Sequence, residues 1–333
     1  MKPGYIWALF LLNLILVLLV LISLINGSVH LTIMQTLSAL HLGTEPIGDM
    51  MRSIVFDIRL PRVLLAIMTG AGLAVVGSLL QTTTRNELAD PFLFGLSSGA
   101  SVGAVLVITH FGSLAGFLTL PIAAFCGGVI SSLAVILLFH FKRGQGSESL
   151  ILYGLACSFI FGAITSYLVF SGDQRAASSI LFWSLGGLGL ARWDNLIYAL
   201  ISLLILFVLV LFRGRSLDGL LAGDYVAHSL GIDVKRLRIE VFLCCAFATS
   251  LLVSLTGVIG FIGLMIPNLC RLISGVNHYR LLPLCALAGA VFMCVGDLLS
   301  RTLLAPQELP VGIITAGIGG GFIIFISTKR GNR

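Results

Sequence analysis

The sequence predicts an all-α protein that crosses a membrane about ten times. Three observations carry that prediction. Hydrophobic residues make up 58% of the 333 and charged residues only 10%, whereas a soluble domain carries roughly a quarter charged residues. Long apolar runs recur, such as residues 196–212, without the period-two alternation of a barrel strand. Backbone groups in lipid must be satisfied within the chain, which leaves helices once barrels are set aside. No linker, low-complexity tract or soluble segment breaks the pattern, so residues 1–333 read as a single transmembrane domain.

Each span needs about 20 apolar residues. Taken in order, the spans fall at 5–25, 62–81, 92–110, 115–141, 150–170, 194–213, 239–257, 259–274, 281–300 and 310–327. The first run is too long for a signal peptide, and 23–26 offers no small-x-small cleavage site, so it is expected to be retained. The eighth is short and carries Gly260, Gly263 and Pro267, the composition of a broken helix. Glycines, 38 in all, concentrate in spans two to four and seven to ten. Small residues there let helix backbones approach closely in lipid.

Lys and Arg set the orientation. With the N-terminus inside, fourteen lie on the inner side, against Arg52, Arg59, Arg62, Arg175, Arg192 and Arg301 outside. Both termini are then cytoplasmic, and the net charge of +6 is mostly topology. No basic patch interleaved with aromatics points to nucleic acid. The seven Cys form no C-x-x-C pair, and the six His lack metal-ligand spacing, so neither a disulfide framework nor a metal site is expected.

The chain has no phosphate loop of the G-x-x-x-x-G-K-[ST] type, no nucleophile–base pair and no H-E-x-x-H. It is not expected to be an enzyme. An ion-coupled secondary carrier, the rival of another class, needs a titrating group at mid-membrane. Asp297 is the nearest candidate, and it sits four residues before Arg301, placed to pair on one helix face. The spans read as a conduit without an engine of its own. Residues 214–238 form the longest charged and polar interruption, the natural grip for a cytosolic partner.

Several ordered motifs run through the chain. Arg59-Leu60-Pro61-Arg62 opens span two, followed by Gly70-Ala71-Gly72-Leu73-Ala74, Gln81, Asn86-Glu87-Leu88-Ala89-Asp90-Pro91 and Gly95-Leu96-Ser97-Ser98-Gly99-Ala100. Later come Gly260-Phe261-Ile262-Gly263-Leu264-Met265-Ile266-Pro267, Leu282-Pro283, Asp297 to Arg301, and Glu308-Leu309-Pro310-Val311-Gly312 with Thr315. From about residue 55 to 327 the chain resembles the permease subunit of type II ATP-binding-cassette (ABC) importers, which carry iron–siderophore complexes, haem and vitamin B12. The resemblance implies a BtuC-like permease fold in a bacterial inner membrane, paired with a second permease, as a homodimer in the first instance. It also implies a cytosolic ATPase dimer, which binds the ATP and Mg, and a periplasmic substrate-binding protein. No cofactor belongs to this chain itself. An iron complex is the expected cargo, vitamin B12 the alternative, and oxyanions a third.

Carried over residue by residue, Arg59, Arg62 and Arg301 resemble outward arginines that receive acidic groups of the binding protein. Guanidinium forks meet carboxylates bidentately. Headgroup anchoring, or helix-end salt bridges to Asp57 and Asp297, is the plainer reading. Asp224, Ala227, Leu230 and Gly231 resemble the coupling helix that sits in the ATPase cleft. Ala227 and Gly231 leave room for close approach, and Leu220, Leu221, Val226 and Leu230 offer an apolar side. An ordinary cytosolic loop is the alternative there. Asn86 and Leu88, with Ser147 and Glu148, align with the family's cytoplasmic gate, where a simple loop is the alternative. Glu87, Asn268, Asn277 and Gly321 depart from the common pattern, which has Pro, His, Asp and Pro at those places.

Overall fold

A computed structural model describes residues 3–27, 31–41, 43, 47–112, 116–141, 147–173 and 176–331. Lys2, Lys142, Arg143, Arg175 and Arg333, all used in the orientation count, lie outside the described residues. The helices are α1 (Pro3–Ile25), α2 (Ile33–Ala39), α3 (Asp49–Ser53), α4 (Leu60–Thr84), α5 (Leu96–Leu106), α6 (Thr119–Phe141) and α7 (Ser147–Ser171). They continue with α8 (Ala177–Ser184), α9 (Trp193–Leu221), α10 (Asp224–Ser229), α11 (Val234–Thr256), α12 (Ile262–Ser274), α13 (His278–Thr302) and α14 (Val311–Gly331). Among the described residues, seven helices are long and apolar enough to cross a membrane, and three shorter apolar ones stand at the other expected spans, 96–111, 262–274 and 311–324.

Span two is longer than predicted. A π-helical turn at Ile54–Arg59 joins α3 to α4, giving a continuous helix of 36 residues. Charges at Asp57 and Arg59 cut the hydropathy signal there, although the backbone continues. This helix is the axis of the bundle: 83% of its most apolar stretch is buried, against 11% for α1 and 17% for α7. α13, α9, α11 and α12 pack around α4. The α4–α13 crossing is made at Gly70 and Gly289, where a Cβ on either would fall 2.2 Å from the other's carbonyl oxygen. No side chain fits, which is why glycine stands at both positions. α7 by contrast carries Phe159, Tyr167 and Phe170 at 70%, 68% and 90% exposure, a surface that only lipid or another apolar partner can solvate.

Of the three residues expected to break span eight, Gly260 lies in the break before α12, while Gly263 and Pro267 lie inside the helix. α11 ends at Thr256, and Gly257 takes a φ of +68° with the Trp183 carbonyl where a Cβ would be. Phe261 follows at φ +70°, and Pro267 lies inside α12. With 13 residues α12 is about 20 Å long, short of a hydrocarbon core of about 30 Å. The polar stretch 214–238 also needs correction. α9 runs on to Leu221 and α11 begins at Val234, so both helices project beyond their apolar parts and α10 lies between them. The short α2 and α8 were not predicted, since neither carries enough residues for a periodic signal.

Candidate functional site

α4 links two polar ends of the bundle. Arg62 and Arg85 are 23 residues apart along it, about 35 Å. At the Arg62 end, the guanidinium donates through Nε to Asp297 Oδ1 at 2.8 Å and through Nη1 to both oxygens of Glu308 at 3.0 and 2.9 Å. Asp297 also pairs with Arg301 Nη2 at 3.0 Å, the helix-face pairing their spacing implies. Arg301 donates to the carbonyl of Asn26 at 3.1 Å and to the Ser23 hydroxyl. Arg59 donates to the carbonyls of Leu24 and Ile25 at 2.7 and 2.8 Å. Those carbonyls close the last turn of α1, where a helix leaves acceptors unsatisfied.

From sequence, Arg59, Arg62 and Arg301 are expected to face outward to a partner's carboxylates, with salt bridges to Asp57 and Asp297 as the plainer reading; the Asp297 bridges are present. The structure buries them at 4%, 8% and 6% exposure, each turned onto groups of its own chain. A guanidinium set in low dielectric without a partner costs too much to leave alone. The open member of this network is Glu308, whose side chain is 52% exposed.

At the opposite end, α10 is held by its first residue. Arg238, only 1% exposed, donates through Nη2 to both oxygens of Asp224 at 2.8 and 2.9 Å and through Nε to the Thr83 carbonyl at 3.2 Å. Arg85 stands 3.8 Å from the same carboxylate. Ala227 and Leu220 are fully buried against the bundle, so they are not part of any outer face. Tyr225, Val226 and Leu230, at 88%, 40% and 64% exposure, form the apolar surface on offer. Gly231 takes a φ of +77° with open space beside it, so its glycine serves the turn rather than close contact within this chain.

Beyond α4, Arg85 ends the helix in the left-handed region, and Asn86 Oδ1 accepts the Leu88 N–H at 2.9 Å. Leu88 projects at 55% exposure. Asn268 Nδ2 donates to the Glu87 carbonyl at 3.0 Å, fastening this turn to α12. α7 runs parallel to α5, with Gly154 against Phe94 and Gly172 against Thr109. Ser147 and the exposed Glu148 therefore open α7 at the same end as Asn86 and Leu88, on a separate element.

Next to this turn lies a cavity of about 400 Å³ lined by Asp90, Phe92, Ser184, Gly260, Phe261 and Ala316, among others. Asp90 is 6% exposed. Its Oδ1 caps the short 3₁₀ turn Pro91–Phe94 by accepting the Phe92 N–H at 2.9 Å, while Oδ2 has no partner among the described residues. Burial pushes this carboxyl up to about 6, with the Phe92 N–H pulling the other way. In the sequence Asp90 stands only within the 86–91 motif, with no role to mark it. Arg238 counts in the sequence only among the fourteen inner-side cations, since nothing in the spacing of Asp224 and Arg238 announces their pairing. No group of three or more His, Cys, Asp or Glu suited to a metal occurs among the described residues.

Apolar helices packed around a buried central one, with a small helix clamped at one end and a charge network at the other, define a multi-pass membrane permease. The profile of the FecCD transport family matches residues 15–329, and the chain belongs to that family. It is 37% identical over 322 residues to the hemin transport system permease protein HmuU of Yersinia pestis, covering 96% of this chain and 95% of that one. A probable iron chelatin transport system permease protein of Helicobacter pylori is 38% identical over 274 residues, 82% of each chain. The vitamin B12 import system permease protein BtuC of Vibrio cholerae is 34% identical over 279 residues, 84% of each. A solved chain described as a metal-chelate type ABC transporter in an inward-facing conformation superposes with a TM-score of 0.83 at 31% identity, over 96% of this chain and 98% of that one.

Proposed function

We propose that this chain is the membrane permease of an ATP-driven importer for iron complexes, siderophore- or haem-bound. The observation that carries the reading is α10. It is clamped to the bundle by a buried arginine, and it presents Tyr225, Val226 and Leu230 outward from a chain with no phosphate loop. An apolar face on a fastened short helix suits a cleft in a separate ATPase, which binds the ATP and Mg. The α10 end is then cytosolic, both termini are cytoplasmic, and the membrane is a bacterial inner membrane. The exposed aromatic face of α7 suits a second copy of the chain across a shared path. Asn86 and Leu88, with Ser147 and Glu148, stand where a cytoplasmic gate would close it.

A periplasmic binding protein docks at the opposite end. Arg62 is the docking arginine there, reached when an incoming carboxylate replaces the half-exposed Glu308. Arg59 and Arg301 hold α1 beneath it. The hemin and iron chelatin permeases among the relatives support an iron cargo, and the vitamin B12 permease supports a corrinoid as the second reading.

Reconstitution of the permease with its ATPase and binding protein in proteoliposomes tests this. Uptake of radioiron-labelled haem or siderophore should require ATP and all three components. Uptake by this chain alone under a proton gradient would refute it. Uptake of cobalamin in preference to either iron complex would replace the cargo.

A further inference from the structure

We propose that the last turn of α4 collects the movement of α10, and of the α9 end it packs on, through two polar struts centred on buried Arg238 and His278. This rests on the reading that α10 meets the ATPase. The first strut is Asp224–Arg238–Thr83: one guanidinium holds the opening carboxylate of α10 and the Thr83 carbonyl of α4 together. The second is Asp218–His278–Thr82. Asp218, near the end of α9, accepts the His278 backbone N–H at 3.0 Å and the ring Nδ1–H at 2.5 Å. His278 Nε2 meets the Thr82 hydroxyl at 2.9 Å. Asn277 Nδ2 donates to the second oxygen of Asp218 at 2.9 Å, which fixes the carboxylate on both sides.

The first strut starts on α10 itself and the second on the end of α9, against which α10 packs. Asp218 lies six residues before Asp224 in the chain, and both paths end on consecutive residues of α4. The preceding residue of α4 is held as well: Arg271 Nη1 donates to Gln81 Oε1 at 2.5 Å, and Gln81 Nε2 to the Gly263 carbonyl at 3.1 Å. Gln81, Thr82 and Thr83 are thus gripped from α12, α13 and α11 in turn. The side chains of Arg238 and His278 are 2% and 0% exposed. The carboxylates they hold are 39% and 28% exposed, but the onward links to Thr83 and Thr82 are buried, so water cannot stand in there and a lost partner is costly. If α10 shifts, Asp224 carries Arg238, and Arg238 carries Thr83. Two residues further on, Arg85 ends α4 and hands that displacement to the turn holding Asn86 and Leu88. Asp218, Asp224, Arg238 and His278 are accordingly positioning residues, acting on the gate through the end of α4.

The test uses the whole complex purified from native membranes through a tag on this chain. Leu88→Cys serves as reporter, read by maleimide labelling of the peptide that carries it. In the parent complex, ATP with vanadate should change the labelling rate several-fold. Combining Asp218→Asn with His278→Gln, both outside α10, should leave the ATPase bound and hydrolysing ATP while the labelling rate loses most of its response to nucleotide. Arg238→Lys keeps the ion pair and loses the reach to Thr83, and should retain only part of the response. If the doubly substituted complex does not assemble, the two single substitutions decide, each expected to reduce the response. A response equal to the parent's in variants that assemble overturns the strut proposal and leaves the α10 reading intact. A parent complex that holds no ATPase overturns both.

Discussion

Replacing Asp297 with Asn is the sharpest test of the charge network at the Arg62 end. The carboxylate is 1% exposed and bridges Arg62 at 2.8 Å and Arg301 at 3.0 Å, whose side chains are 9% and 5% exposed. Asn keeps the shape and removes the charge. Arg301 is left with carbonyls and the Ser23 hydroxyl, and Arg62 with Glu308 alone. Removing one partner of a buried pair costs about 3–5 kcal/mol. Hydrogen bonds within membranes average only about 0.6 kcal/mol in mutant cycles, because the unfolded chain finds other partners. Two guanidiniums in a low-dielectric site have no such substitute, so the larger figure should govern. Glu308→Gln is the matched control. Its side chain is 52% exposed, so its bridge is worth about 0–1 kcal/mol. The assay is unfolding of both variants by sodium dodecyl sulfate titrated into mixed micelles, with reversibility checked by dilution and Trp fluorescence as the signal. A loss for Asp297→Asn no larger than that for Glu308→Gln would refute the reasoning.

Two more outcomes follow from particular residues. The Asp90 carboxyl is raised from 3.8 to about 6, so the folded state holds its proton more tightly than the unfolded state. Its contribution is greatest below pH 3.8, declines as pH rises toward 6 and is level above that, a span of about 3 kcal/mol. Asp90→Asn should flatten that part of the stability–pH curve in the same micelle assay, and an unchanged curve would count against burial as the cause. Gly289→Ala would gain about 0.5–1 kcal/mol in an ordinary helix. Here the new Cβ lies 2.2 Å from the Gly70 carbonyl and 2.7 Å from the Ala74 Cβ, so overpacking of about 1–3 kcal/mol should outweigh the gain. A stabilised Gly289→Ala protein would show that the α4–α13 crossing is looser than drawn.

The helix count was legible because lipid solvation acts on composition over some twenty residues at a time. The boundaries were not, wherever charge and helix coincide. Asp57 and Arg59 hid the start of the second span, and Arg213 and Arg215 hid the last turns of α9. The motif residues at the Asn86–Leu88 turn were legible too, and the Asx turn of Asn86 onto Leu88 is a local contact that spacing alone suggests. The burial of the arginines was not legible for a different reason. Sequence places them at helix ends but cannot show that the end of α1 holds Arg59 and Arg301 while Asp297 and Glu308 hold Arg62.

By itself, then, the order of residues determined that the chain is a helical bundle in lipid, where its glycines cluster and where its polar ends lie. These depend on periods and runs that each segment carries alone. Only the tertiary structure decided which polar groups meet. Arg62 finds Asp297, Arg238 finds Asp224 and His278 finds Thr82 across separations of 235, 14 and 196 residues. Such pairings are selected by the cost of leaving a charge or a hydrogen bond unmet once the helices pack, and no local pattern records that cost.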